Sequence, residues 1–173
     1  MNRRIGWKML VIVLLCSGTQ AAWGHDQHAH QETAQAKPAE SKPKDAVLKV
    51  LADYRAAMEA RSVEKLANVI DPDLLVLEGV YKNVSWADYR DNHIGPEMKE
   101  WKEFRTQDPR VLEVIVHGEL AYAVEEATFT IVTADKTVTL AGAETFVLKK
   151  DPAGWKIRHL HFSSKKKEPA AKQ

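Results

Sequence analysis

Two imidazoles stand one residue apart near the end of the chain, at His159 and His161. Residues 155–163 are predicted to form a β-strand, on which successive side chains point to opposite faces. We therefore expect one face to bound a half-wet cavity. The side chains predicted on that face are Trp155, Ile157, His159 and His161.

A carboxylate is expected opposite the first of these imidazoles. Glu144 lies in the preceding strand, and the turn at residues 151–154, Asp-Pro-Ala-Gly, predicts a hairpin between the two strands. Glu144 and His159 would then face each other or lie diagonally across the hairpin, both pointing into the cavity, where a carboxylate can orient an imidazole for general base catalysis. A buried polar network that stabilises the fold is the alternative interpretation.

The histidine pair is also a two-ligand metal unit, because zinc binds imidazole nitrogen and carboxylate oxygen. A third ligand would come from Glu144, Glu78 or His93. A separate histidine-rich group near the start of the chain suits weak capture of copper or zinc. Its members are His25, His28 and His30. We expect no other cofactor, since the chain has no nucleotide-binding glycine motif and no cofactor-attachment motif.

Residues 1–24 have the composition of a signal peptide. Arg3, Arg4 and Lys8 give a positive start, and a short apolar run and small residues follow. We expect export, to a bacterial periplasm or beyond, and no transmembrane span in the mature protein. Cys16, the single cysteine, follows a leucine and not the small residue that a lipoprotein signal requires.

The rest of the chain is predicted to contain a leader, one domain and a tail. Residues 25–44 are rich in Ala, Lys, Glu, Gln and Pro, which is typical of disorder. Residues 45–164 have the length of one ordinary domain, and residues 165–173 form a basic flexible tail. The 25 basic residues almost balance the 24 acidic ones, so no charge surplus indicates a nucleic-acid partner.

Hydrophobic periodicity predicts that the domain begins with helices. A first helix covers residues 45–61, and Ser62 is placed to cap a second, short one. Helices are also expected within residues 85–101, with a break at Gly95-Pro96. This segment is rich in aromatic residues that suit a cavity wall, and His93 is expected near the cavity mouth.

The predicted strands follow the helices, apart from a first short one that ends at Glu78. Three strands are expected at residues 110–117, 120–133 and 137–150, before the last one at 155–164. Helices followed by a run of antiparallel strands indicate an α+β fold with the helices on one face of the sheet.

The closing hairpin resembles that of a known superfamily. Residues 142–150 (Gly-Ala-Glu-Thr-Phe-Val-Leu-Lys-Lys) and 154–163 (Gly-Trp-Lys-Ile-Arg-His-Leu-His-Phe-Ser) are similar to the last strands of SnoaL-like members of the nuclear transport factor 2-like superfamily. The Glu-Thr, Gly-x-Trp and His-x-His-x-Ser patterns especially resemble the association domain of calcium/calmodulin-dependent protein kinase II. The resemblance covers residues 45–164. It implies a cone-shaped, curved antiparallel sheet with N-terminal helices over its concave face, enclosing a pocket.

Ketosteroid isomerases belong to the same superfamily, and the resemblance to them implies roles for three residues. These enzymes use a tyrosine on the first helix, a carboxylate base on the first strand and a protonated acid on the strand before the last. Tyr54, Glu78 and Glu144 stand at the corresponding positions. Glutamate replaces aspartate at both acid positions. His159 and His161 are expected to make the cavity floor more polar, which would disfavour a neutral Glu144.

The sequence therefore favours a small-molecule-binding or accessory protein. An enzyme of isomerase or dehydratase type is the first alternative, with Glu78 or His159 as base and with Tyr54 and Glu144 as donors to an oxyanion. A copper- or zinc-handling protein is the second. The predicted pocket residues are Trp155, Ile157, His161, Phe146, His93 and Trp101.

A homodimer is expected through the outer face of the sheet, as is frequent in the superfamily that the chain resembles. Leu160 and Phe162 fall on the face opposite the predicted cavity side chains. They would supply apolar area for this interface.

Overall fold

The computed structural model describes residues 41–167, in which helices pack against a six-stranded sheet. The helical elements are α1 (Ser41–Glu59), α2 (Val63–Ala67), α3 (Trp86–Tyr89), a π-helical turn (Arg90–Ile94) and α4 (Gly95–Glu100). The strands are β1 (Ile70–Glu78), β2 (Tyr81–Asn83), β3 (Glu103–His117), β4 (Leu120–Val132), β5 (Thr137–Asp151) and β6 (Gly154–Lys166).

Several sequence predictions fall outside the described residues. They concern the signal peptide with Cys16, most of the leader with its histidine group, and the end of the basic tail. The histidines of that group are His25, His28 and His30.

Helix α1 forms because apolar residues recur at helical spacing along it. Val47, Leu51, Tyr54 and Met58 are all buried. The helix begins at Ser41, four residues before the predicted start. Proline is compatible with the first turn of a helix, so Pro43 does not prevent the earlier start. Helix α1 contributes its apolar face to the core that it shares with the sheet.

The strand order in the sheet is β2-β1-β6-β5-β4-β3. Neighbouring strands are antiparallel, except that β1 runs parallel to β6. The inner face carries the buried core residues of the strands, among them Ala123, Phe129, Phe146 and Leu148. This arrangement confirms the α+β fold with helices over one face of the sheet.

A β-bulge in β6 reverses the predicted faces of its second half. Leu148 pairs with Ile157 and the adjacent Val147 pairs with His159, so Arg158 is an extra residue in the ladder. One extra residue moves every following side chain to the opposite face. The prediction that His159 shares a face with Ile157 is therefore wrong.

The same bulge turns Leu160 and Phe162 inward. Leu160 pairs with Phe146 and is buried, and Phe162 pairs with Glu144. Neither residue can supply apolar area to the outer face, as the dimer prediction required. The homodimer itself stays a prediction.

The segment from Trp86 to Glu100 is one continuous helical run with a wider turn in its middle. The Gly95 amide donates to the carbonyl of Arg90, five residues earlier, as in a π-helix. Pro96 has no amide hydrogen, and its ring would clash with the carbonyl four residues before it in a regular α-helix. The wider turn therefore replaces the helix break that was predicted at Gly95-Pro96.

The end of β6 also extends further than predicted. The Lys167 amide donates to the Thr139 carbonyl, so residues 165–167 continue the pairing with β5. None of the helices within residues 41–167 is long and apolar enough to cross a membrane.

Candidate functional site

A pocket lies between the helical layer and the inner face of the sheet. Its cavity volume is about 70 Å³, and the space between the surrounding atoms reaches about 540 Å³ when space open to solvent is counted. Most of its wall is apolar: Met58, Val76, Ile94, Trp101, Phe104, Phe129, Ile131, Leu140, Leu160 and Phe162. Its polar side chains are Tyr54, Glu78, Tyr89, Glu97 and Glu144. An apolar cavity with a few polar groups is typical of small-molecule sites.

Tyr54 and Glu144 form a buried hydrogen-bonded pair in this pocket. The Tyr54 hydroxyl donates to Oε1 of Glu144 across 3.2 Å. The tyrosine ring meets the Phe146 ring edge to face, with centroids 5.4 Å apart. Burial raises the pKa of the Tyr54 hydroxyl well above its ordinary value, so the residue remains a donor.

Burial favours the neutral form of Glu144. Burial, with a smaller contribution from the charge of Glu125, raises the pKa of Glu144 to about 8. The hydrogen bond from Tyr54 opposes this shift without cancelling it. A protonated carboxyl has an O–H donor in addition to its accepting oxygen. Since Oε1 accepts from Tyr54, Oε2 is the oxygen available to carry the proton.

Oε2 of Glu144 and Oε1 of Glu125 are both buried, and neither has a hydrogen-bond partner within residues 41–167. Buried polar atoms nearly always have a partner, so an isolated one requires an explanation. Because Glu144 lines the pocket, a ligand oxygen is the natural acceptor for an Oε2 hydroxyl.

Glu125 lies behind Glu144 and is held by Arg55. The two glutamates are direct partners in the β4–β5 ladder. Arg55 Nη1 donates to Oε2 of Glu125, which forms an ion pair between α1 and the sheet. Burial raises the pKa of Glu125, while the adjacent guanidinium lowers it.

Glu78 is the carboxylate at the end of β1, and it lines the same pocket. Its side chain is 39% exposed, so it can exchange protons with solvent. Burial raises the pKa of Glu78, and the neighbouring His93 lowers it. Its charge also makes a small contribution to the raised pKa values of Tyr54 and Glu144.

His93 links Glu78 to a second carboxylate. Nε2 of His93 lies 3.4 Å from Glu78 and 3.6 Å from Glu97. Burial and the charge of Glu78 raise the pKa of Glu97, while His93 lowers it. The other ring nitrogen, Nδ1, lies 2.8 Å from Oδ1 of Asn83 on β2. The π-helical turn places His93 at this junction.

The family profile described as the SnoaL-like domain matches residues 47–165. The chain belongs to this SnoaL-like family. The match covers every pocket residue named above and all of the helices and strands except the first residues of α1 and the last residue of β6. No curated protein matches the sequence.

Solved structures share the fold of this SnoaL-like domain at low sequence identity. A nuclear transport factor 2-like superfamily protein from Salmonella enterica serovar Typhimurium is 21% identical, with a TM-score of 0.66 over 78% of this chain and 99% of that one. A Shewanella frigidimarina protein, provisionally named a ketosteroid isomerase, is 22% identical, with a TM-score of 0.62 over 70% and 98%. A Streptomyces avermitilis protein, provisionally named a dehydratase, is 16% identical, with a TM-score of 0.59 over 69% and 93%. They place the SnoaL-like domain in the nuclear transport factor 2-like fold.

Of the predicted site residues, the SnoaL-like domain brings Tyr54, Glu78, Glu144 and Trp101 into one pocket. His93 lies beside that pocket, in contact with two of its carboxylates.

Five predicted residues do not line the pocket. His159 and His161 lie on the outer face because of the bulge, and Nδ1 of His159 donates to the Leu75 carbonyl across 3.0 Å. The predicted pairing of Glu144 with His159 is therefore wrong, because the two side chains lie on opposite faces of the sheet and Phe162 is opposite Glu144. The remaining three are buried core residues outside the pocket wall: Phe146, Trp155 and Ile157.

Sequence reasoning missed four polar residues of the SnoaL-like domain: Arg55, Asn83, Glu97 and Glu125. One signal was available for Glu125, since it falls on the apolar side of an alternating strand, between Ala123 and Ala127. A charged residue at such a position is rarely buried without a partner. The others depend on contacts between distant segments.

No group of three or more histidine, cysteine or acidic side chains is arranged to hold a metal ion in the part of the chain that the structure describes. His159 and His161 also lie on the face opposite Glu144 and Glu78, which excludes these two glutamates as third ligands for that pair. Copper or zinc capture by the histidine group in residues 25–30 stays a prediction.

Proposed function

We propose that this SnoaL-like domain binds a small, mainly apolar molecule with an acceptor oxygen and moves a proton on it. The isolated, buried Oε2 of Glu144 is the observation that carries the proposal. A neutral carboxyl at the floor of an apolar pocket donates a strong hydrogen bond to a carbonyl, and a stronger one to the oxyanion that forms from it. Tyr54 supports this donor by holding Oε1.

The charge of the pocket limits the class of ligand. Three carboxyl groups line it, at Glu78, Glu97 and Glu144, and no lysine, arginine or histidine is among its lining residues. An anionic ligand would meet like charge in a poorly solvated site. The proposed ligand is therefore a neutral molecule with an apolar body, such as a cyclic ketone.

Glu78 is the proposed base. It would remove a proton from the carbon next to the carbonyl, and the electron pair of that C–H bond would move toward the oxygen. Glu144 would stabilise the resulting enolate by hydrogen bonding. Glu78 would then return the proton to the same carbon or to the far carbon of a conjugated system. Burial raises the pKa of Glu78, which makes its carboxylate a stronger base.

The names of two similar structures support this choice of chemistry. The Shewanella protein is provisionally named a ketosteroid isomerase and the Streptomyces protein a dehydratase. Both names describe proton transfers next to an oxygen-bearing carbon. At 22% and 16% identity the likeness extends to the fold alone, so the assignment to this chain rests on its own residues.

Proton exchange tests the proposal directly. The protein is incubated in heavy water with a panel of cyclic ketones, including β,γ-unsaturated ones, and NMR follows loss of the proton signal beside the carbonyl. We expect the Glu78→Gln variant to exchange at least about 100-fold more slowly, because general base catalysis contributes that much. Glu144→Leu removes the donor and is expected to lower the rate by a similar factor.

The outer-face variant His161→Gln is the matched control, and its exchange rate should equal that of the wild type. Exchange that persists in Glu78→Gln would contradict the role of Glu78. Ketone binding without exchange would instead support a ligand-binding or accessory protein.

Export is a separate proposal, and it rests on the sequence of residues 1–24 alone. The mature protein should be recovered from the periplasm or the medium with its N-terminus near residue 25. Mass spectrometry of the purified protein would identify that terminus.

A further inference from the structure

The hydrogen-bond partner of Nδ1 in His93 determines whether this nitrogen carries a proton. Nδ1 lies 2.8 Å from Oδ1 of Asn83. The orientation of the Asn83 amide is set by its nitrogen, which donates to Oδ2 of Asp88 across 3.1 Å. Asn83 is 8% exposed, so water does not compete for this contact. Since an amide oxygen only accepts, Nδ1 of His93 must be the donor.

The other nitrogen of His93 faces two acids. Nε2 lies 3.4 Å from Glu78 and 3.6 Å from Glu97. If Nε2 were unprotonated, its lone pair would point at two groups that carry negative charge when ionised. A proton on Nε2 turns this repulsion into attraction to both carboxylates. With Nδ1 already protonated, the ring is then an imidazolium.

The remaining neighbours of His93 are two tyrosine rings and Asp88, and the aspartate favours a cation. The Tyr89 ring meets the imidazole edge to face at 5.2 Å between centroids, and the Tyr81 ring lies at 6.4 Å. Asp88 is close enough for the charge of His93 to lower its pKa. The His93 side chain is only 15% exposed, so solvent screens these interactions weakly.

We propose that His93 is a positioning residue, held as an imidazolium by Asn83 and Asp88, which keeps Glu78 ionised and aimed into the pocket. The effect on turnover rests on the proposed function. The charge state of the ring rests only on the contacts of His93.

The charge state can be measured without a substrate. Nitrogen-15 NMR of the histidine rings separates an imidazolium from either neutral tautomer, and a His93→Gln variant assigns the signal. We expect both ring nitrogens of His93 to carry protons at about pH 7. A neutral His93 ring at this pH would overturn the proposal.

The effect on Glu78 is measured by carbon-13 NMR of the side-chain carboxyls. In His93→Gln the titration midpoint of Glu78 should move to higher pH by about one unit, because an opposite charge within 4–6 Å has at least that effect. An unmoved midpoint would contradict the proposal. If His93→Gln does not fold, Asn83→Leu provides the same test, since it removes the acceptor that fixes Nδ1.

Kinetics add a third readout. In the proton-exchange assay, His93→Gln should shift the acid limb of the pH–rate profile upward by about one unit, with His161→Gln unchanged. If no ketone exchanges, the proposed function fails while the NMR results still decide the charge state of His93. An imidazolium together with an unmoved acid limb would exclude the positioning role.

Discussion

Glu125 and Glu144 lie directly opposite each other on the inner faces of β4 and β5, and both side chains are buried although both are acidic. Their surroundings divide their roles. Glu125 is paired with the Arg55 guanidinium, and Glu144 accepts a hydrogen bond from Tyr54. The charge of Glu125 raises the pKa of Glu144, and the Arg55 guanidinium lowers it by a smaller amount. On balance the ion pair behind the pocket favours the neutral donor within it.

Removal of Arg55 should be strongly destabilising. Arg55→Met leaves the carboxylate of Glu125, which is 1% exposed, without its cation. Loss of one partner of a buried ion pair costs about 3 kcal/mol in the free energy of unfolding. Urea denaturation measures this loss. The double variant Arg55→Met/Glu125→Leu should recover most of it, and a double variant as unstable as the single one would contradict the assignment.

The stability of the protein should depend on the protonation of Glu144. In the unfolded chain this carboxyl titrates near its ordinary pKa of about 4.3, whereas the folded value is about 8. Between these values the folded state holds a proton that the unfolded state releases. The contribution is therefore complete below about pH 4 and is lost as the pH rises through about 8, by up to about 1.4 kcal/mol per unit.

Glu144→Gln removes this dependence, because the amide stays neutral throughout the range. Denaturation curves between about pH 5 and pH 9 should show that the free energy of unfolding of the variant increases relative to that of the wild type as the pH rises. Glu126→Gln, which changes an exposed salt bridge to Arg110 on the outer face, is the matched control. Parallel curves for the wild type and Glu144→Gln would show that the buried carboxyl has an ordinary pKa.

Gly95 should not tolerate a side chain. A Cβ at this position would lie 2.2 Å from the carbonyl oxygen of Arg90, inside the π-helical turn. Glycine to alanine in a helix usually adds about 1 kcal/mol of stability, but here overpacking should lower it by about 2 kcal/mol. Urea denaturation distinguishes the two signs. Lys99→Ala, at an exposed position of α4, should change stability by less than about 0.5 kcal/mol.

Gly142 makes room for two aromatic rings of the pocket. A Cβ there would lie 2.7 Å from a ring carbon of Phe162 and 2.8 Å from one of Phe129. Gly142→Ala should displace these rings, which line the pocket, and weaken binding of an aromatic ketone about tenfold. Calorimetric titration measures the affinity. Ala143→Ser, on the exposed face of the same strand, should bind the ketone as the wild type does.

Much of the fold was predictable because long periodic segments determine it. The amphipathic pattern of α1 and the alternation in β4 and β5 gave the correct elements. Tyr54 and Glu144 were placed on the right faces, since no irregularity interrupts the periodicity around them. Glu78 was also placed in the pocket correctly, because it ends the first strand, where the enzymes that the chain resembles have a carboxylate.

The histidine pair was misplaced because a bulge has no signature in the strand pattern. Residues 155–163 alternate through Arg158, yet the ladder with β5 shifts there by one residue. The parallel partner β1 shifts register near the same point, between Ile70 and Leu75. Such a shift arises from packing between strands that are distant in sequence. It also removes the two imidazoles that would have disfavoured a neutral Glu144.

The role of His93 was not predictable for a related reason. Its three polar partners come from β1, β2 and α4, and the π-helical turn sets its direction. The sequence shows a Gly-Pro pair, which usually ends a helix. In this chain the pair widens one turn instead.

The protonation state of Glu144 is the most direct test of the central claim that a neutral carboxyl donates to the ligand oxygen. Carbon-13 NMR of glutamate side-chain carboxyls, with the signal assigned by Glu144→Gln, gives its titration midpoint. The structure predicts a midpoint of about 8, which should rise further when a ketone binds and accepts the proton in a hydrogen bond. A midpoint near the ordinary value of about 4.3 would contradict the claim, because Glu144 would then be an anion at neutral pH.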